Sequence, residues 1–418
     1  MQEVKGFCGF CFDPEVTGNL DAVITPPYDV ISEEERAVLA AKSPHNMVHV
    51  LLPQDCEGRT RYEEAATTFE RWVDEGALKQ DEAPHLYLVR QTFTDLEGKT
   101  QVRKGFFAAV RIPDPAQKLI LGHERTFDKP VEDRLRLTEA VKANLGAVFV
   151  LYADPDGVME TYLAEMDRRP PEFAANTFDG VRQEFWRILH NERIAEFLRA
   201  KRFYIADGHH RFQTACAYQE AMHAHEQMEG PQAYDYVLMG FVSFEDPGLK
   251  IYPPHRLVPQ PEGFSEAAFL EKLGEWFDVE KVSTDLPGRV EKAPGTCVMG
   301  VAVHGGGEYL LTLKDIDRTA LLGDERGPSW RDLDVAVLHR GIIEGILGIP
   351  EGTAFKYEKS VDGAMKAAET GDAGLSFILR ATRAEQIRAC AEAGEPMPQK
   401  STYFFPKLPS GGVIHRLV

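Results

Sequence analysis

The run Phe203-Tyr204-Ile205-Ala206-Asp207-Gly208-His209-His210-Arg211 constrains this chain more than any other. A short apolar stretch stops at Asp207-Gly208, a turn pair, and a helical pattern begins at once. That pattern continues to about His225, with Phe212, Ala215, Cys216, Gln219 and Met222 spaced along one face. A strand that feeds a helix across two residues commits the fold to mixed layers of α and β.

The rest of the chain agrees with an α/β reading. Pro26-Pro27-Tyr28-Asp29-Val30-Ile31 is extended or turn, because proline fixes φ and excludes its predecessor from the helical region. Ser32 with Glu35 makes a capping box ahead of a helix. Tyr62 to Gly76 reads as an amphipathic helix, with Ala65, Phe69, Trp72 and Val73 at helical spacing. His85 to Phe93 and Gly105 to Ile112 read as a hairpin around Asp95-Leu96-Glu97-Gly98. His123 to Thr138 is a polar segment, and Ala147 to Tyr152 another strand. Leu257-Val258-Pro259-Gln260-Pro261-Glu262-Gly263 reads as a linker, followed by a helix capped by Ser265. Beyond it come a glycine-rich hairpin at His304-Gly305-Gly306-Gly307, helices over 333–347, 361–369 and 383–393, and a strand over 375–379. The expected organisation is two α/β domains with mixed sheets, 1–256 and 257–418.

Composition narrows the function. With 418 residues, 43% hydrophobic and 27% charged, the chain has ample material for a large core. A net charge of −19 supplies no long-range field for nucleic acid or an anionic membrane. No stretch reaches the length of a membrane helix, and Met1 to Gly6 lacks the apolar centre of a signal peptide. A cytoplasmic enzyme with a small-molecule ligand is the expectation, its oligomeric state left open. Six cysteines are too sparse for a disulfide framework, and Cys8-x-x-Cys11 has no second pair to complete a zinc site.

Three segments carry chemistry. At Asp207-Gly208-His209-His210-Arg211 the unpaired N–H groups of a starting helix make an anion site, and the sequence adds two imidazoles and a guanidinium. Arginine suits bidentate phosphate or carboxylate binding, and histidine donates hydrogen bonds or moves protons near neutral pH. The second segment, His123-Glu124-Arg125-Thr126 through Lys129 to Asp133-Arg134, offers Glu124 as a general base or metal holder and Lys129 and Arg134 against phosphate. A solvated charged loop is the alternative reading of this stretch. The third runs from Lys400-Ser401-Thr402-Tyr403 to Lys407 and Ser410, where two lysines and several hydroxyls bracket an anion, or simply end a strand. There is no P-loop, no G-x-G-x-x-G and no G-x-S-x-G elbow.

On Pro26-Pro27-Tyr28-Asp29-Val30, Ser43-Pro44-His45-Asn46, His123-Glu124-Arg125-Thr126 with Asp133-Arg134, Ala206 to Arg211 and Lys400 to Phe404, the chain resembles the family designated domain of unknown function 1015 over its whole length. Ser43-Pro44-His45-Asn46 departs from that family's usual Asn-Pro-Tyr-Asn. The Asp-Gly-His-His-Arg element is also similar to one in the ParB/sulfiredoxin superfamily, which includes kinases acting on free serine. That resemblance implies a ParB/sulfiredoxin-like catalytic N-terminal domain and a C-terminal α/β domain contributing to or covering its site. It implies phosphoryl transfer on a small metabolite, serine or phosphoserine, in the kinase or phosphatase direction. Glu124, with His209 and His210, would be catalytic, and Asp207, Gly208, His209, His210 and Arg211 would cradle phosphate. His123, Thr126, Lys129, Asp133, Arg134, Tyr28, Asp29, Lys400 and Ser401 would bind substrate or nucleotide. Mg²⁺ on Asp207 and ATP or ADP are the implied cofactors. Two other classes compete. A ParB-like DNA-binding regulator requires a basic face, which −19 opposes. A sulfiredoxin-like redox enzyme requires a reactive cysteine, and Cys216 is the only one close to the turn in sequence.

Overall fold

The computed structural model describes residues 1–189, 192–225 and 228–418. They divide into two units: Met1–Gly122, Thr126–Lys250 and Pro406–Val418 form the first, and His123–Arg125 with Ile251–Phe405 form the second. A single cut near residue 257 therefore does not describe the chain. Its last stretch, Pro406–Val418, returns to the first unit, because Leu408, Val413, Ile414 and Leu417 are buried there. Ile414 also exchanges backbone hydrogen bonds with Phe10 at 2.9 and 3.0 Å. The expected linker begins inside a strand, His255–Val258.

The main sheet of the first unit contains Val4–Lys5 (β1), Leu86–Thr94 (β2), Thr100–Arg111 (β3), Ile120–Leu121 (β4), Val148–Tyr152 (β5), Phe173–Asn176 (β6), Arg182–Ile188 (β7), Phe203–Asp207 (β8) and Tyr236–Ser243 (β9). Their order is β4-β8-β5-β9-β3-β2-β7-β6, with β1 added on β3. The pairs β4–β8 and β5–β9 are parallel and the others antiparallel. The β2–β3 hairpin closes at Thr94 and Thr100 around the expected turn. Its central strands are buried on both faces, as a sheet covered by helices must be.

Four helices matter for the site. Glu33–Lys42 (α1) starts at Ser32 with the expected capping box. Arg61–Asp74 (α2) is capped by Thr60 and Glu63 and buries Ala65, Thr68, Phe69 and Trp72, positions three and four apart on one face. Asp128–Val141 (α3) replaces most of the polar segment expected at 123–138. Its buried stripe, Arg134, Leu137 and Val141, includes a charged residue, so periodicity alone concealed it. His209–His225 (α4) begins where the turn at Asp207-Gly208 predicts. It buries His209, Thr214, Ala215 and Tyr218, while Phe212 and Cys216 are half-buried against the main core. The helix is covered on more than one side, so no single apolar face could describe it.

The second unit has a six-stranded, fully antiparallel sheet in the order Phe277–Val282, Glu308–Leu313, Val298–Val303, Leu375–Leu379, His255–Val258, Lys356–Glu358. The glycine-rich hairpin and the helices Val361–Thr370 and Ala384–Ala393 stand where expected. The helix beginning at Asp334 widens into a π-type helix over Val337–Ile346. Among the described residues no helix is long and apolar enough to cross a membrane.

Candidate functional site

β8 is apolar and buried from Phe203 to Ala206, and it delivers Asp207 to the edge of the core. Gly208 then turns the chain at φ +90°, and a Cβ there would lie 2.9 Å from Arg211 Cζ. Glycine is needed for both reasons, since an L side chain resists that φ and would occupy the space of the guanidinium. Arg211 folds back over the turn, its Nη2 2.5 Å from Asp207 Oδ2 and its Nη1 donating to the Ala147 carbonyl. The other Asp207 oxygen accepts from Lys407 Nζ at 2.5 Å. Burial alone would raise the Asp207 carboxyl, but the Lys407 ammonium and Arg211 guanidinium hold it well below the usual carboxylate range.

The turn is thus not an empty phosphate cradle: Asp207 itself occupies part of the cationic surface. The same fact decides against Mg²⁺ at this carboxylate, since both oxygens already face cationic donors. Among the described residues no group of three His, Cys, Asp or Glu side chains could hold a metal.

Beside the turn a pocket of about 570 Å³, counting its open mouth, lies along α3, α4 and the start of β5. Its polar lining includes Tyr28, Arg134, Asn144, Arg211, Thr214 and Ser410, and Leu137, Leu145 and Val148 contribute apolar wall. Arg134 lies 4.5 Å from the centre of the Tyr28 ring and donates from Nη1 to the Leu51 carbonyl at 2.7 Å. Asp133 receives Arg134 Nε at 2.8 Å, and also Arg61 at 2.7 Å and the Tyr62 hydroxyl at 2.8 Å. Burial, then the Asp29 charge, pushes the Tyr28 hydroxyl up, so it stays a neutral donor. Two buried polar atoms of the lining, Thr214 Oγ1 and Arg211 Nε, have no hydrogen-bond partner. Buried polar groups are almost always satisfied, and both of these belong to residues that line the pocket.

The sequence-predicted residues separate into three sets. Tyr28, Arg134 and Arg211 come together in the pocket, with Asp207 behind Arg211 and Asp133 behind Arg134. Asp29, Thr126 and Lys129 are exposed. His123, Glu124, Lys400 and Ser401 belong to the second unit. There His123 Nε2 lies 3.4 Å from Thr402 Oγ1, and Ser401 Oγ donates to the Pro398 carbonyl at 2.5 Å. Lys400 is exposed at φ +52°. His209 packs against Gly122, where an added Cβ would lie 3.0 Å from its Cδ2. His210 Nε2 accepts the Phe127 N–H at 3.1 Å, which puts the proton of the neutral ring on Nδ1. Ser43-Pro44-His45-Asn46 is structural: buried Asn46 donates to the Ala22 carbonyl at 2.6 Å, and His45 meets Glu75 at 2.8 Å.

Thr214 and Arg103 were not anticipated. Arg103 is fully buried on β3, donating from Nε to Gln91 Oε1 at 3.0 Å and from Nη2 to the Pro406 carbonyl at 2.6 Å. Gln91 in turn donates to the Lys407 carbonyl at 3.0 Å. The available signal was the alternation of β3, where Arg103, Gly105 and Phe107 share a phase. Cys216 does not meet the redox requirement, because burial pushes its thiol up to about 11.

Comparison with known proteins gives one family and several loose structural matches. The model of the family described as protein of unknown function (DUF1015) matches residues 4–336. No curated protein matches. A conserved hypothetical protein from Pyrococcus furiosus aligns at TM-score 0.35 and 13% identity, over 73% of this chain and 93% of its own. A free serine kinase in complex with AMP aligns at TM-score 0.34 and 13% identity, over 72% and 86%. SbnI with a C-terminal truncation, from Staphylococcus aureus, aligns at TM-score 0.35 and 14% identity, over 72% and 84%. Superpositions this loose carry no functional argument.

Proposed function

The chain belongs to the DUF1015 family, and from that premise we propose that its first unit handles the phosphoryl group of a small metabolite, with free serine or phosphoserine as substrate. One observation carries the reading. Two guanidiniums, Arg134 and Arg211, face a single pocket in which a buried threonine hydroxyl and a guanidinium N–H have no protein partner. Phosphoryl transfer is mostly positioning and charge neutralisation, and the two guanidiniums supply part of both. Arg211 and Arg134 bind the phosphoryl oxygens, Tyr28 supports Arg134 through its ring, and Asp207 with Lys407 fixes the pose of Arg211. In the kinase direction ATP or ADP supplies or receives the phosphoryl group, and the apolar wall suits its base. In the phosphatase direction water takes that place.

Glu124 is the proposed base. His209 and His210 are the alternative proton carriers. The test is turnover of the full-length chain with serine plus ATP or ADP, and separately with phosphoserine alone. Glu124→Gln keeps the shape but cannot accept a proton, so kcat should fall by roughly 10²–10⁴ with ligand affinity retained. Loss of binding with normal turnover of the bound complex would make Glu124 a substrate ligand and move the base to His209 or His210. No turnover and no binding in any combination would remove the phosphoryl-transfer reading altogether.

A further inference from the structure

Ser410 carries a buried hydroxyl that the fold does not use. Just before it, Leu408 packs so closely on Gly240 that a Cβ added there would overlap it. Ser410 itself pairs with Thr25 through both backbone groups. Its N–H donates to the Thr25 carbonyl at 2.8 Å, and its carbonyl accepts the Thr25 N–H at 3.1 Å. The backbone thus fixes this residue, which is only 2% exposed and lines the pocket beside α4. Its Oγ makes no hydrogen bond among the described residues, although buried polar groups almost always do. Unlike Thr214 Oγ1 and Arg211 Nε, this oxygen is not sealed from the pocket space. Facing it is Gly146, on the loop between the strand Ala143–Asn144 and β5. The φ of Gly146 lies outside the left-handed region, so conformation does not require glycine there. Space does: an added Cβ would lie 2.8 Å from Ser410 Oγ and 3.9 Å from Arg211 Nη1. The bare face of Gly146 therefore opens between a hydroxyl and a guanidinium. Asn144, close by in the chain and also in the lining, accepts the Leu238 N–H on Oδ1 at 2.9 Å, which leaves its amide NH₂ as the free end. Donors from three separate segments thus border one pocket, a set that suits the oxygens of an anion.

We infer that Ser410 is a ligand-contact residue and Gly146 the specificity-determining position beside it. A ligand oxygen lies over the bare face of Gly146, between Ser410 Oγ and Arg211. The ligand class is an oxyanion, and its identification as a phosphoryl group rests on the function proposed above. The hydroxyl donates to the oxygen, and the glycine lets that oxygen approach the backbone where any side chain would stand. The returning C-terminal stretch then serves the site twice, through Ser410 directly and through Lys407 on the Asp207 that holds Arg211.

The experiment is calorimetric titration of the full-length wild type, Ser410→Ala and Gly146→Ala with phosphoserine and with inorganic phosphate, beside the melting temperature of each. No protein group uses the hydroxyl, so Ser410→Ala should keep the wild-type melting temperature. It should bind both probes about 10-fold more weakly, the size of one hydrogen bond to a charged group. Gly146→Ala should bind them at least as weakly, because its methyl displaces the hydroxyl and fills the space of the oxygen. The fold tolerates that methyl, since Ser410 Oγ ends a rotatable side chain and swings away. Wild-type affinity in either variant overturns the inference and leaves the hydroxyl to water, while phosphoserine binding by the wild type keeps the phosphoryl reading standing. An affinity loss in Ser410→Ala matched by a lower melting temperature also overturns it, since the hydroxyl then serves the fold. Binding of phosphate without phosphoserine removes phosphoserine as the substrate, and the phosphate affinities of the variants decide the inference. A wild type that binds neither probe removes both. If Gly146→Ala does not fold, Ser410→Ala still decides.

Discussion

Arg103 in the first unit and Arg256 in the second are both fully buried on β-strands, and neither makes an ion pair among the described residues. Burial draws the first guanidinium down to about 9 and the second to about 10. Their surroundings differ. Arg256 donates from Nε to His339 Nε2 at 3.1 Å, from Nη2 to the Gln399 carbonyl at 3.1 Å, and from Nη1 to the Pro254 carbonyl. Its guanidinium lies 5.2 Å from the centre of the Tyr357 ring. Arg103 leaves Nη1 unfilled and stands beside a carboxylate that two other cations already share. A buried arginine that staples a fold has neutral partners on every nitrogen. Arg103 also lies 4.8 Å from the centre of an aromatic ring, that of Phe149, but one of its nitrogens has no partner.

The largest expected effect tests the staple. Arg256→Ala removes the donors of two buried carbonyls and of His339, and should lower unfolding free energy by about 3–5 kcal/mol in denaturant titration. Phosphoserine affinity per folded molecule should not change. Near-normal stability with lost affinity would exchange the roles given to the two arginines. Next in size, Arg211→Ala should weaken phosphoserine binding by about 2–4 kcal/mol while the fold persists, because Lys407 still answers Asp207. Unchanged affinity at unchanged melting temperature would break the assignment of the pocket.

The smallest effect concerns acid. Burial, then the charge of Arg256, pulls the His339 imidazole down to about 3, so it is neutral in the folded protein at pH 5. The unfolded chain takes up that proton near pH 6.5, so this contribution to stability is present above pH 6.5 and lost as pH falls toward 3. At pH 5 the loss amounts to about 2 kcal/mol. His339→Gln keeps an acceptor for Arg256 and has no proton to gain, so its stability should fall less between pH 7 and 5. Parallel acid curves for the variant and the wild type would show that His339 titrates normally.

Local signals were legible where one residue type has one physical use. The capping box at Ser32, the turn at Gly208 and the hairpin at 304–307 rest on short-range geometry, and the structure contains each of them. α3 was not legible, because its buried stripe includes Arg134, which a hydrophobicity pattern counts as exposed. The aliphatic stem packs inside while the guanidinium finds Asp133, the Tyr28 ring and the Leu51 carbonyl. The candidate site was legible in its residue types at Tyr28, Arg134 and Arg211. Its internal pairing was not, since no spacing rule links Asp207 to Lys407.

By itself the sequence determined that a strand ends at Asp207 and a helix begins at His209, because a glycine turn and an apolar run leave little else for those residues to do. It also determined the family and the acidic balance. Only the tertiary structure decided that Pro406–Val418 returns to the first unit, that Lys407 and Arg211 share one carboxylate, and that buried Arg103 is clamped on the Pro406 carbonyl. The physical reason is range. Turns and caps are set by neighbours within a few residues, whereas a buried ion cluster is set by whichever distant segments the packing of apolar faces brings to the same place.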